Sequence, residues 1–396
     1  MIRTTLRLNK SCLLSQYYQI ETVQNQGTAM FTLVLYLISV TLISLCWFLW
    51  IPKKFPPGPT SFPLFGSLSF MLEIHPFDKK NSLVHSIFRN AKRYGDIFGF
   101  YMGFQPFVVI ADYDILKEVL KNDAVCDRQD MTPVNEYRPG HWTLTKENSG
   151  RQPGVTFSQG RYWTEQRRFM LRNLRDFGFG KSEMEDTLLD EVDKWCNDYS
   201  NLVGKPTCLD NTLNLSVINA LWAILTGEKL SLKDKKLLEM VYLFNKTTKE
   251  VKNIGNLFLP MTPAWLIRKN PIFNTDKNVG LDIWKEALER LENILQEQVE
   301  EHKSTIDEDN PRDMMDLFLN EIKKTNDSES SFFQERGHFA MMNGFIDLFI
   351  AGMETTSSSL LWTFLYMLHH PEIKKKVHQE LDQVNDTHFM RLFLIQ

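Results

Sequence analysis

A glycine and a run of hydroxyl side chains stand in the middle of an otherwise apolar stretch. Residues 345–368 read FIDLFIAGMETTSSSLLWTFLYML, and the centre is Ala351-Gly352-Met353-Glu354-Thr355-Thr356-Ser357-Ser358-Ser359. These are poor helix residues at mid-helix. Gly costs about 1 kcal/mol against Ala there, and Ser and Thr hydroxyls compete for the i−4 carbonyl and can bend a helix. Two readings explain the cost. In one, small residues simply let another element pack close. In the other, Ala351 and Gly352 leave room for a flat ligand, while Glu354 and Thr355 form an acid–alcohol pair for proton delivery. A second candidate is Trp163-Thr164-Glu165-Gln166-Arg167-Arg168-Phe169. Trp163 and Arg167 are i and i+4, so they share a helix face. Indole N–H and guanidinium are pure donors and together suit the carboxylate of a cofactor. The commoner arrangement for an isolated pair of this kind is a Trp–Arg stack.

The elements that must position these residues are mostly helices. Asp347 and Glu354 interrupt 345–368, so it reads as a buried helix of a soluble body rather than a membrane span. Helical spacing also marks 114–121. Ser182-x-x-Glu185 is a capping box ahead of Leu188, Val192 and Trp195. Residues 277–303 form a long amphipathic run with Ile283, Ala287, Leu291, Ile294 and Val299 on one face, and 372–384 repeats the pattern with Ile373, Val377 and Leu381. One patch is β-rich. Residues 97–102, then Gly103, then 107–111 carry the aromatic and β-branched content of a hairpin. Segment 253–271 is apolar but broken by Pro260, Pro263 and Pro271, which suits a buried loop or a monotopic membrane contact.

Composition bounds the rest. The 396 residues include 45 Lys plus Arg and 49 Asp plus Glu, a net charge of −4, with 43% hydrophobic residues. That balance argues for a globular chain and against nucleic-acid binding, which needs a basic excess. Cys12, Cys46, Cys126, Cys196 and Cys208 are scattered and form no CxxC, which excludes a disulfide scaffold or a zinc module. No charge lies between Glu21 and Lys53, and the apolar run 30–50 ends in Trp47 and Trp50 ahead of Lys53 and Lys54. It is long enough for a bilayer core of ~30 Å. The expectation is a transmembrane anchor over 30–51 rather than a cleaved signal, with the body in the cytosol by the positive-inside rule. Residues 1–29 would then be an N-terminal extension upstream of a true start at Met30. Residues 52–62, which include Pro56-Pro57-Gly58-Pro59, would be a Pro-rich hinge or a plain linker.

Read in order, the anchor, Pro56-Pro57-Gly58-Pro59, Trp163-x-x-x-Arg167-Arg168-Phe169, Arg175-Asp176-Phe177-Gly178-Phe179-Gly180-Lys181, Pro311-Arg312-Asp313 and Ala351-Gly352-Met353-Glu354-Thr355-Thr356 form an ordered set. The chain resembles a microsomal cytochrome P450 of the family-two group over about residues 30 to 385. The resemblance implies a mainly α cytochrome P450 fold, incomplete, with a small β-rich subdomain, preceded by a single transmembrane helix. Residues 63–385 would be a partial catalytic domain and 386–396 a divergent tail.

The resemblance also implies roles. The cofactor is haem. Thr355 matches the alcohol that helps protonate iron-bound oxygen, and Glu354 its acidic neighbour. Ala351 and Gly352 would line the oxygen groove. Trp163 and Arg167 would donate to the haem propionates, with Arg128 as a third donor. Segment 129–156 would lie over the substrate, an apolar small molecule, and 253–271 would roof the pocket. Electrons would come from NADPH through a membrane-bound cytochrome reductase, with cytochrome b5 as a further partner, at the endoplasmic reticulum membrane. The family also needs a cysteine thiolate on the iron, after a Glu-x-x-Arg helix. None of the five cysteines sits in the family's phenylalanine–glycine–arginine loop, so no metal ligand is assigned. Glu165-Gln166-Arg167-Arg168 matches Glu-x-x-Arg by letters only. His369, His370 and His388 are weak substitutes. The expectation is a monooxygenase family whose iron ligand this chain lacks, the alternative being a non-catalytic membrane-anchored isoform that binds apolar ligands or partners.

Overall fold

The structure is a computed structural model that describes residues 30–46, 52–62, 66–73, 83–103, 105–128, 138, 140, 154–176, 182–206, 209–250 and 281–384. It divides into two compact units, one ending at Asn122 and the other beginning at Asp123. The expectations for 1–29, 253–271 and 386–396 fall outside the described residues.

In the first unit, residues 30–46 form helix α1, with every residue exposed. The Ser39 and Thr41 hydroxyls donate to the Leu35 and Leu37 carbonyls, both at 2.8 Å. At ~1.5 Å per residue α1 is roughly 25 Å long, short of a bilayer core of ~30 Å. The expected transmembrane helix is therefore not borne out: among the described residues no helix is long and apolar enough to cross a membrane. The last residues of the apolar run, 47–51, are not described.

The hairpin follows its pattern. Strand β1 (Ile97–Met102) pairs antiparallel with β2 (Gln105–Ile110), from Ile97↔Ile110 to Met102↔Gln105. Gly103 at the turn has φ +57°, a conformation glycine adopts without cost. The Phe100 ring stacks on Phe70 of α2 (Leu68–Glu73) at 4.1 Å between centroids and on Phe107 at 5.3 Å. Glu73 joins α2 to α3 (Leu83–Tyr94) by accepting from Ser86 at 3.1 Å and Asn90 at 3.0 Å. Helix α4 (Tyr113–Val119) starts where Asp112 accepts from the Ile115 amide at 2.9 Å.

Pro57 and Gly58 lie flat on β1. The Gly99 amide donates to the Pro57 carbonyl at 2.9 Å. A Cβ on Gly58 would fall 1.7 Å from the Gly99 oxygen, and one on Gly99 would fall 2.5 Å from the Phe55 ring. Two backbones meet there with no room for a side chain. Gly58→Ala is therefore expected to cost about 2–3 kcal/mol in urea unfolding of the first unit; an unchanged midpoint would show that the contact is absent in solution.

The second unit is helical. After α5 (Gly160–Asp176), α6 (Ser182–Ser200), α7 (Asp210–Thr226) and α8 (Lys235–Glu250) come α9 (Leu281–Thr305), α10 (Met314–Lys324), α11 (Gln334–His369) and α12 (Pro371–Val384). The core gathers Trp222, Met240, Leu291, Phe318, Phe345 and Phe349. The predicted face of α9 is largely borne out: Ala287, Leu291, Ile294 and Val299 are buried, and Ile283 is half-buried. Helix α7 lies along α11, with the Trp222 and Phe349 rings 5.9 Å apart. The expectation of a buried 345–368 holds for its first half only. Phe345, Ile346, Phe349, Met353 and Ser357 are buried, whereas Trp362 is 60% exposed and Tyr366 61% exposed. Against them, Ile373, Val377 and Leu381 of α12 line one side of an open apolar groove of ≈ 470 Å³.

Candidate functional site

The hydroxyl-rich centre of α11 does not break the helix. Thr355 Oγ1 donates to the Ala351 carbonyl at 2.6 Å, Ser359 to Thr355 at 2.8 Å and Thr363 to Ser359 at 2.8 Å. The expected competition for i−4 carbonyls is real, and it leaves the backbone ladder standing. Ala351, Glu354 and Thr355 are all exposed and, at i, i+3 and i+4, form one open stripe. Glu354 accepts from Ser358 at 3.3 Å. As neighbours in sequence, Glu354 and Thr355 project about 100° apart and share no hydrogen bond with each other. Gly352 stands apart from this stripe. A Cβ there would come 2.6 Å from Leu221 Cδ1 of α7. The small residue at 352 admits a neighbouring helix, while the small residue at 351 faces open space.

Trp163 and Arg167 are on one face of α5, as their spacing requires. The guanidinium carbon lies 5.3 Å from the indole centroid. Arg167 is exposed and Trp163 half-buried, so the stack leaves the guanidinium edge facing solvent. Arg128 is also exposed and donates to the Cys126 and Asp127 carbonyls at 3.0 and 3.2 Å. The Asp127 carboxylate accepts from the Gly160 amide at 3.0 Å. That bond ties the segment carrying Arg128 to the first residue of α5, one turn before Trp163. Among the described residues, no hydrogen bond or ring contact joins Trp163 or Arg167 to Glu354 or Thr355.

The letters-only match at Glu165 has a structural use. Its carboxylate accepts from the Ser331 amide at 2.8 Å and from Arg161 at 2.6 Å. Burial works against its charge, but these bonds outweigh it and hold the carboxyl below its ordinary range.

Sequence reasoning missed the strongest polar feature of this unit. Arg138 is buried, 5% exposed, and its guanidinium pairs with Asp347 of α11, itself 6% exposed. Arg138 Nε donates to Asn343 Oδ1 at 2.9 Å, and its Nη2 reaches the Asn343 carbonyl at 3.3 Å. The other Asp347 oxygen accepts from the Val155 and Thr156 amides at 2.8 and 2.9 Å. Gly154, at φ +89°, lies so close that a Cβ would be 2.4 Å from that oxygen. One carboxylate on α11 thus holds two points of the 129–156 segment. Asn343 and Asp347 at i, i+4 in an apolar helix were the available signal, because buried polar groups need partners.

His302, Asp313 and Asp316 are buried together with their ligand atoms within 4.8 Å of one another. Their bonds are already committed. Arg312 holds Asp316 through Nε at 2.7 Å and Nη2 at 3.0 Å, and His302 meets Asp313 at 2.9 Å. Both Asp316 oxygens are taken by the Arg312 guanidinium.

The second unit is thus a mainly helical body whose longest described helix carries an exposed acid–alcohol stripe, with Trp163, Arg167 and Arg128 on other segments. The comparisons give the family. Residues 56–390 match the family model Cytochrome P450, and the chain belongs to that family. Among its relatives are cytochrome P450 2D10 of Mus musculus, 32% identical over 340 residues (84% of this chain, 61% of that protein), and cytochrome P450 2B4 of Oryctolagus cuniculus, 30% identical over 339 residues (85% and 62%). Cytochrome P450 2L1 of Panulirus argus is 29% identical over 335 residues (84% and 63%). These relatives support the family-two type. The chain spans about three fifths of the length of these relatives.

Haem is the cofactor of the complete family member. The donors of this chain fit one part of it. Arg128 and Arg167 are exposed and Trp163 is half-buried, and all three are donors of the kind that holds carboxylates. The iron side fits less well. Helix α11 carries no cysteine, and burial with Asp193 nearby pushes the Cys196 thiol pKa up, against the thiolate form.

Proposed function

We propose that this chain carries the oxygen-side helix and the propionate side of a haem-thiolate monooxygenase that inserts one atom of O2 into an apolar small molecule. The stripe Ala351–Glu354–Thr355 on α11 is the observation that carries the reading. It offers a hydroxyl and a carboxylate on an open face in the helix that the family places over the haem. Arg128, Trp163 and Arg167 hold the cofactor's carboxylates. Thr355 Oγ1, whose hydrogen now goes to the Ala351 carbonyl, turns it toward the open face for the reaction, and Glu354 is its acidic neighbour one position before. The apolar substrate, a xenobiotic, fatty acid or steroid, lies under the 129–156 segment that Asp347 fastens. NADPH supplies electrons through a cytochrome reductase, with cytochrome b5 as a second donor. The exposed apolar surface of α1 supports membrane association at the endoplasmic reticulum.

The iron thiolate is assigned to none of Cys12, Cys46, Cys126, Cys196 or Cys208. The 396-residue chain supplied with haem and reductant is therefore expected to give no thiolate-type carbon monoxide difference spectrum. A clear band of that type would overturn the assignment. The second reading, a non-catalytic isoform that binds apolar ligands or partners, is favoured by the open groove between α11 and α12. Saturable binding of an apolar dye, without haem, would separate it from the first.

A further inference from the structure

His302 sits at the last turn of α9 and is 4% exposed. Both of its ring nitrogens face acceptors. Nδ1 lies 2.8 Å from the Gln298 carbonyl oxygen, and Nε2 lies 2.9 Å from Asp313 Oδ2. A carbonyl oxygen can only accept, so Nδ1 carries a hydrogen. A second hydrogen must lie between Nε2 and the carboxylate, or two lone pairs would meet in a buried site. Whether that proton rests on nitrogen or oxygen, the pair holds two protons in the folded chain.

The pair is a joint between three elements. Asp313 is the N-cap of α10, where its Oδ1 accepts from the Asp316 amide at 2.9 Å. Gly227, the C-cap of α7 at φ +70°, presses on the same side chain: a Cβ there would be 2.9 Å from Asp313 Oδ2. The charges around the ring are balanced while the shared proton is present. Asp316 and Asp313 bring two negative charges, and Arg312, locked on Asp316, brings one positive charge. The imidazolium completes the set. Loss of its proton leaves a buried knot with a net negative charge and one hydrogen bond gone.

We propose that the His302–Asp313 pair is a proton-held fastener between α9, the N-terminus of α10 and the C-terminus of α7, and that it releases as the pH rises. The direction of the ring's titration agrees. Burial alone would lower its pKa, but Asp313, the Gln298 carbonyl and Asp316 outweigh burial and raise it above the ordinary histidine value. A group whose folded pKa is raised gives stability that is complete below its unfolded pKa, about 6.5, and is lost as pH rises through the folded value. A second histidine beside α9 works at the opposite end. His338 of α11 faces Lys303 and Glu300, with Glu335 nearby, and burial first and Lys303 second lower its pKa. Its contribution is lost at acid pH, so it does not obscure the alkaline side.

The experiment is urea unfolding of the full chain from about pH 6 to pH 9, for the wild type, His302→Gln and Asp313→Asn. Asparagine still caps a helix, so the second variant keeps α10 while removing the counter-charge. The wild-type midpoint is expected to fall across this interval. The His302→Gln midpoint should start lower at pH 6 and stay level, and the Asp313→Asn slope should flatten. If His302→Gln does not fold, Asp313→Asn alone decides. Variant profiles that run parallel to the wild type across the interval would overturn the proposal.

Discussion

Asp347→Ala is expected to destabilise the second unit by about 3–5 kcal/mol, the usual cost of leaving a buried charge without its partner. Arg138 would keep its positive charge with, among the described residues, Asn343 and the Phe157 ring still beside it, and the Val155 and Thr156 amides would lose their common acceptor. Urea unfolding measures the loss, and amide exchange at 155 and 156 reports the local release. The double substitution Arg138→Leu with Asp347→Leu removes both charges and is expected to recover a large part of it, because apolar replacement of a whole buried pair is often neutral. A single Asp347→Ala that unfolds like the wild type would mean that water reaches the pair and that the segment is held elsewhere. The functional consequence follows from position. The carboxylate that fastens the 129–156 segment stands on α11 only one turn before Ala351, so loosening it disturbs the segment and the stripe together.

What the sequence made legible was local. The hairpin could be read because Phe98, Phe100 and Phe107 alternate around a glycine, and the face of α9 because Ala287, Leu291 and Ile294 recur at helical spacing. The open stripe of α11 was visible in the same way, since 351, 354 and 355 must share a face wherever the helix lies. What it could not give was the element on the other side. Gly352 and Ala351 look equivalent in sequence, and only the approach of Leu221 separates a packing position from an open one. The partners Arg138 and Asp347 lie 209 positions apart, so no spacing connects them. Pro57 and Gly58 read as a hinge because the strand they lie on, β1, comes about forty residues later. The apolar pattern of α12 was read correctly, yet Ile373 is 48% exposed. Periodicity identifies an apolar face without saying whether anything covers it.

Thr355→Ala offers a test in which function and fold separate. The Thr355 side chain is exposed, and its one hydrogen bond goes to its own helix. Alanine is the better helix former, so the variant is expected to unfold no earlier than the wild type. If the hydroxyl holds a proton for the reaction, its loss should still be large, in the range of about 10²-fold or more for a removed proton-transfer group. The measurement is product formed per NADPH oxidised by the full gene product with its reductase. Thr355→Ala should consume NADPH with little product, and Thr355→Ser, which keeps the oxygen, should restore most of the yield. Glu354→Gln should lower that yield without reproducing the full loss, because the Glu354 carboxylate meets Ser358 rather than Thr355. Equal yields for alanine and wild type would remove Thr355 from the mechanism. The exposed hydroxyl run of α11 would then be left with only its i−4 bonds to explain it.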